Sequence, residues 1–197
     1  MDGNTFYNAW KTVCSDNEDA IIQAWDSGKW KQYTDLFLGK SNQNSILVLL
    51  QQELKLEIYQ EYYSCDAVFY KSSDCLDYND IEILCPQTSR KTPPIFNQTW
   101  LKKIRIHFEH ENDIRTSWKE MMQFCVIPGE LNVLVTYPND KDESQNALNC
   151  YNKILCDASF RNNVLIIFGT HAKGSTTITW DGYLFESNKF NKIKLDN

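Results

Sequence analysis

The sequence contains no apolar run long enough to cross a membrane. Its longest apolar stretches, residues 46–50 and 164–168, span only five residues each, whereas a transmembrane helix needs about 20. Residues 1–11 also lack the basic region and the apolar core of a secretory signal peptide. We therefore expect a soluble protein without a membrane partner.

An excess of positive charge is also absent. The chain has 20 Lys and Arg against 26 Asp and Glu, which gives a formal net charge of −6. Such a chain has no general basic field to hold a polyanion, so any contact with DNA must come from a local group of basic side chains. The basic residues that cluster in the middle of the sequence are Lys71, Arg90, Lys91, Lys102, Lys103, Arg105 and Arg115.

Several familiar cysteine, zinc and phosphate motifs are missing. The seven cysteines are an odd number, and several lie in apolar stretches where a reduced thiol behaves as a small hydrophobe, which favours the cytoplasm. Their spacings fit no tetrahedral zinc pattern, and no Pro-Cys-x-x-Cys follows His107-x-Glu109, which excludes the zinc deaminase signature. Residues 169–175 have the glycine spacing of a phosphate-binding loop, but Gly174 stands where the loop's lysine should precede Ser175, and strand-like residues follow instead of a helix.

The periodicity of apolar residues predicts an α/β fold. The first 56 residues have helical patterns, including a helix over residues 41–56, and residues 58–70 alternate as one strand. Residues 71–98 are irregular, with one strand-like patch at 80–84. Strand-like and helix-like segments then alternate at 103–109, 113–125, 131–137, 142–156 and 164–168, and two antiparallel strands close the chain at 176–186 and 190–195. Such alternation implies crossover connections and a mixed central sheet.

The most distinctive segment is Ile-Arg-Ile-His-Phe-Glu-His-Glu-Asn at residues 104–112. In a strand, successive side chains point to opposite faces of the sheet. Alternation therefore places isoleucines and a phenylalanine on the buried face, and it sends His107, Glu109 and Glu111 together to the other face.

A third acid, Asp66, lies among apolar neighbours in the middle of a predicted strand. An unpaired carboxylate there would be costly, and a cation is the usual remedy. Asp66, Glu109 and Glu111 on adjacent strands would supply the hard oxygen ligands that Mg²⁺ or Mn²⁺ prefers, and such an ion serves phosphate chemistry. The alternative is that Glu109 and Glu111 are solvent-facing edge acids and that Asp66 is a satisfied structural acid.

From about residue 41 to residue 168, the sequence resembles the PD-(D/E)XK nuclease superfamily. In that family a helix bearing Glu precedes a strand with Asp, a second strand with Glu-x-Lys, a helix and a further strand. The matching segments are the helix at 41–56, Cys65-Asp66-Ala67-Val68-Phe69, Glu109-His110-Glu111-Asn112, Trp118-Lys119-Glu120, and the strand at 131–138 that ends in Thr-Tyr-Pro.

The resemblance implies a single domain of restriction-endonuclease-like fold, with a mixed central sheet. An N-terminal helical cap would occupy residues 1–40, the nuclease-like core residues 41–170, and edge strands residues 171–197. It also implies a divalent-metal-dependent deoxyribonuclease, with Asp66, Glu109 and Glu111 as ligands of Mg²⁺ or Mn²⁺. Glu111 would serve as a ligand or as a proton acceptor.

The sequence departs from the family pattern at the lysine of Glu-x-Lys, which is Glu111 here. Lys119, in the following helix, is the candidate for a migrated catalytic lysine. An alternative function is therefore that of a catalytically inactive nuclease-fold protein, which binds a protein partner of immunity or regulatory type.

Two assignments stay open at this point. Asp66 and Glu109 are 43 positions apart, so Asp80 and Glu82 are rivals of Asp66 as the first acid. The family's auxiliary helix glutamate could be Glu53 or Glu57, which the sequence alone does not distinguish.

Overall fold

The computed structural model describes residues 1–39, 44–76, 100–160, 162–172 and 174–194. Within these residues the fold is α/β, as predicted, with one mixed sheet of seven strands. Asp80, Glu82, Arg90, Lys91 and the strand-like patch at 80–84 lie outside the described residues. No helix in the described part of the chain is long and apolar enough to cross a membrane.

Four helices precede the sheet: α1 (Gly3–Asp16), α2 (Glu18–Asp26), α3 (Trp30–Leu38) and α4 (Ile46–Leu54). α1 begins where the Asp2 side chain accepts the N–H of Thr5 at 2.8 Å, and Ser45 caps α4 in the same way. The helix predicted over 41–56 is too long at both ends. It starts only after the extended N-cap Ser45, and it stops where Lys55 turns into the left-handed region with φ 53.

The single strand predicted over 58–70 is wrong. The structure forms a hairpin of β1 (Glu57–Tyr62) and β2 (Cys65–Tyr70) instead. Tyr63 and Ser64 connect the strands with φ of 49 and 70, which is the backbone that a two-residue hairpin turn requires. Neither residue is the Gly or Asn that normally signals such a turn. The alternating pattern continues across both residues, so the sequence gives no sign that the strand is interrupted there.

The remaining elements alternate as the sequence predicts. After a 3₁₀ turn (Ser72–Asp74) come β3 (Ile106–Glu111), α5 (Trp118–Val126), β4 (Leu131–Thr136), α6 (Lys141–Asp157), β5 (Asn163–Thr170), β6 (Thr179–Glu186) and β7 (Lys189–Lys192). The strands lie in chain order across the sheet. β3, β4 and β5 are parallel, while the other neighbours are antiparallel.

Helices cover both faces of the sheet. One apolar core joins α1–α4 to alternate positions of the strands, such as Val133 and Val135 on β4. A second core joins α5 and α6 to the opposite face, where Leu134 and Ile166 point. β3 is an interior strand of the sheet, and its side chains on both faces are buried from Ile106 to His110.

Candidate functional site

The pairing of β2 with β3 brings the two principal acids together. Ala67 lies opposite Phe108 and Val68 opposite His107, so the same register sets Asp66 opposite Glu109. The N–H of Asp66 donates to Glu109 Oε2 at 3.2 Å, and the N–H of His110 donates to Asp66 Oδ2 at 2.8 Å. Directly opposed residues of an antiparallel pair share a face of the sheet, so both carboxyls lie on one face.

Glu109 and His107 form a buried hydrogen-bonded pair. His107 Nε2 lies 2.6 Å from Glu109 Oε1, and its Nδ1 lies 2.7 Å from the carbonyl oxygen of Ile127. Because a carbonyl only accepts, Nδ1 carries a proton, and Nε2 and Oε1 share another. Burial lowers the pKa of His107 to about 4 and raises that of Glu109 to about 8, so the uncharged pair predominates at neutral pH.

Glu109 is not a solvent-facing edge acid, which was the alternative interpretation of the motif. Its residue exposure is 2% and that of His107 is 0%, because α5 covers this face of an interior strand.

Four acids form what we call the carboxyl cluster: Asp66, Glu109, Glu111 and Glu120. Burial and the charge of Glu109 raise the pKa of Asp66 to about 7, and burial with the charges of Glu109 and Asp66 raises the pKa of Glu120 to about 7. The charge of Glu111 acts in the same direction on the other three. Carboxyls that repel one another in this way are stabilised by a cation.

Glu120, a residue that the sequence did not single out as a ligand, approaches the cluster from α5. Phe124 packs its ring edge-on against the His107 ring, with 4.7 Å between the ring centroids. Glu120 lies four positions before Phe124 and so shares its side of the helix. Lys119, the candidate catalytic lysine, is exposed on α5 instead. Counting helical positions back from a buried phenylalanine would have favoured Glu120.

Cys65 is a second potential ligand that the sequence patterns did not indicate. Cys65, His107 and Glu109 are all buried, and each offers one metal-ligating atom within 4.8 Å of the others. Strict alternation places Cys65 on the face opposite Asp66, but the hairpin turn interrupts the regular strand geometry beside it. Cys65 therefore packs with Tyr62 and Val68 on the face of His107.

Neither candidate for the auxiliary glutamate joins the carboxyl cluster. Glu53 is exposed on α4. Glu57 pairs with Tyr70 at the far end of the hairpin, four residues or about 13 Å along β2 from Asp66. Its carboxyl accepts a hydrogen bond from the Ser72 hydroxyl.

Most of the predicted basic group within the described residues is already paired with acids. Arg105 contacts Asp74 at 2.7 Å and Glu130 at 3.0 Å, and Lys103 contacts the same glutamate at 2.6 Å. Arg115 contacts Asp113 at 2.7 Å. Lys71 and Lys102 are exposed. A phosphate group would thus compete with internal carboxylates for three of these five cations.

A cleft of about 1060 Å³ adjoins Glu111 at the carboxyl ends of the parallel strands. Its walls include the aromatic side chains of Trp25, Trp30 and Tyr137, and His171 lies among them. In open α/β sheets this edge is where ligands bind. The cleft therefore gives the carboxyl cluster an adjacent space for a ligand.

Neither protein-family models nor curated protein sequences give a match to this chain. The fold and the site define an α/β protein with a buried Cys, His and Glu cluster suited to holding a metal ion.

Proposed function

We propose that the protein is a divalent-metal-dependent phosphodiesterase that acts on DNA, similar to the PD-(D/E)XK nucleases. The observation that carries the proposal is the carboxyl cluster, in which Asp66 lies directly opposite Glu109. The order of α4, the β1–β2 hairpin, β3, α5 and β4 also matches the order on which the family resemblance rests.

Asp66, Glu109 and Glu111 would hold the ion, because their carboxylates are the hard ligands that Mg²⁺ and Mn²⁺ take. When bound, such an ion lowers the pKa of a water molecule and neutralises charge on a phosphate. Glu109 must lose its proton to bind the ion. Glu120, with a pKa of about 7, is suited to accept a proton at neutral pH, and Glu111 is a second acceptor.

The cleft beside Glu111 would hold the substrate next to the ion. Aromatic rings such as those of Trp25 and Trp30 offer surfaces on which bases stack. Trp30 is 48% exposed, so its ring is accessible from this cleft.

The test is nicking of supercoiled plasmid DNA by protein first stripped with EDTA and then supplied with Mg²⁺ or Mn²⁺. Glu109→Gln should reduce the rate at least about 100-fold, since loss of even an outer-sphere partner of a metal costs about 10- to 100-fold. Glu53→Gln, an exposed acid outside the cluster, should leave the rate unchanged. Wild-type protein that nicks with neither ion would overturn the proposal, as would equal nicking by Glu109→Gln.

A second candidate function is that of a non-catalytic protein that binds a protein partner. The net charge of −6 and the glutamate in place of the family's lysine favour this alternative. The ion pairs of Lys103, Arg105 and Arg115 favour it as well, because they reduce the charge available to DNA.

A further inference from the structure

We propose that Cys65, His107 and Glu109 form a binding site for a borderline transition metal ion such as Zn²⁺, on the buried side of the carboxyl cluster. The inference goes beyond the proposed function, because it adds a site of different donor chemistry that shares only Glu109 with the ligands proposed for Mg²⁺ or Mn²⁺. It is carried by the convergence of sulfur, nitrogen and oxygen donors within 4.8 Å, all of them buried.

His107 is already oriented as a metal ligand. Its Nδ1–H donates to the carbonyl oxygen of Ile127 at 2.7 Å, so the remaining lone pair is on Nε2, which faces Glu109. Metal-binding histidines in proteins commonly donate their second ring N–H to a backbone carbonyl in this way. The ring edge of Phe124 further restricts the imidazole plane.

The charges of the three donors balance those of a divalent ion. Without metal, Cys65 carries its thiol proton, and His107 and Glu109 share one proton between Nε2 and Oε1. A Zn²⁺ ion would displace both protons to solvent and leave one thiolate, one carboxylate and a neutral imidazole around a charge of +2. The resulting site has no net charge, which is the least costly state for a buried group.

The donor types select against Mg²⁺ on this side of Glu109. Thiolate and imidazole are ligands of Zn²⁺ and Co²⁺, whereas Mg²⁺ requires oxygen donors in octahedral geometry. Tetrahedral bonds of about 2.0 Å from zinc place nitrogen and oxygen ligands about 3.3 Å apart. The His107–Glu109 contact of 2.6 Å would therefore have to open by about 0.7 Å for both atoms to bind the ion.

The test uses Co²⁺ as a spectroscopic probe of untagged, EDTA-stripped protein. One equivalent should produce the thiolate-to-cobalt charge-transfer absorption of a cysteine ligand, together with intense visible bands of tetrahedral Co²⁺. Equimolar Zn²⁺ should abolish both features, whereas millimolar Mg²⁺ should not. Cys65→Ser should lose the charge-transfer absorption, and Cys14→Ser, a substitution at an equally buried thiol in the other core, should keep it.

A second variant, His107→Gln, should weaken Co²⁺ binding at least about 10-fold while the circular dichroism spectrum remains that of the wild type. Absence of the charge-transfer absorption in the wild type, or its persistence in Cys65→Ser, would overturn the inference. Plasmid nicking with Mg²⁺ alongside that result would leave the proposed function standing. Conversely, a cobalt site in a protein that fails to nick DNA with any divalent ion would refute the metal-dependent phosphodiesterase and keep the metal site.

Discussion

At the scale of single residues, Glu109 is the group on which the site depends, because its two oxygens contact different partners. Oε1 faces His107 and Oε2 accepts the N–H of Asp66. A glutamine can reproduce both contacts, since its amide donates to Nε2 and its carbonyl accepts the backbone N–H. It cannot supply the negative charge that a cation requires.

We expect Glu109→Gln to fold normally and to lose stabilisation by metal. Wild-type protein should melt at a higher temperature in millimolar Mn²⁺ than in EDTA, because a ligand that binds only the folded state stabilises it by about 2.7 kcal/mol at 100 times its Kd. The shift should disappear in Glu109→Gln and persist in Glu53→Gln, as measured by differential scanning fluorimetry. An undiminished shift in Glu109→Gln would place the ion elsewhere.

The raised pKa values of Asp66, Glu109 and Glu120 give metal-free protein a characteristic pH dependence. Asp66 and Glu120, with a pKa of about 7, and Glu109, with a pKa of about 8, hold protons in the folded state that the unfolded chain releases near pH 4 to 4.5. The stability that these groups contribute is therefore complete below about pH 4 and is lost as the pH rises through about 7 to 8.

We expect the free energy of unfolding in EDTA to fall as the pH rises from about 5 to about 8 and to level off above that, as measured by urea denaturation. His107, whose pKa is lowered from 6.5 to about 4, offsets part of this decline below about pH 6.5, because the unfolded imidazole is protonated there while the folded one is neutral. Saturating Mn²⁺ should reduce or reverse the decline. A stability that rises with pH in EDTA would contradict the burial and repulsion described for these acids.

At the scale of elements, strongly periodic segments could be predicted closely. β4 and α6 occupy Leu131–Thr136 and Lys141–Asp157, within one residue of the predicted ranges. A largely apolar segment rich in valine and leucine marks the strand, and an aspartate N-cap marks the helix. α5 starts at Trp118 instead of residue 113. Asp113 forms a local turn, in which its side chain accepts the N–H of Arg115, and such turns compete with helix formation.

Alternation on one strand was sufficient to group His107, Glu109 and Glu111. It could not predict the contributions of Glu120 and Cys65, because these depend on which side of α5 meets the sheet and on how the hairpin turns. Both are consequences of packing between elements that are distant in sequence. Periodicity within one element carries no information of that kind.

The packing of α5 against the sheet depends on Phe124, which has 0% exposure and contacts the His107 ring. We expect Phe124→Ala to lower the free energy of unfolding by about 3 to 5 kcal/mol through lost burial and a residual cavity. Trp118→Ala removes a larger ring that is 45% exposed on the same helix and should cost less than about 1 kcal/mol. Urea denaturation measures both changes, and equal losses would show that α5 packs on the sheet differently.

At the scale of the whole molecule, charge limits how the protein can meet DNA. The chain carries a net charge of −6, and the acids Asp74, Asp113 and Glu130 already engage several of the basic side chains. Binding to a polyanion must then rest on a few exposed cations, such as Lys71 and Lys102. Affinity for duplex DNA should accordingly be weak and should depend on salt.

We expect the logarithm of the DNA affinity to fall linearly with the logarithm of salt concentration, with a slope of about −0.9 for each phosphate contact. Lys102→Ala should reduce the magnitude of the slope by about one contact, whereas Lys189→Ala, an exposed lysine on the distant strand β7, should not change it. Fluorescence anisotropy with a labelled duplex measures both.

The same assay distinguishes the candidate functions when it is combined with plasmid nicking. If Glu109→Gln still binds DNA and only the wild type nicks it, the result fits the phosphodiesterase, since loss of a metal ligand acts on the reaction more than on phosphate contacts. Binding without nicking under any divalent ion would select a non-catalytic DNA-binding protein, and absence of both at low salt would select the protein partner.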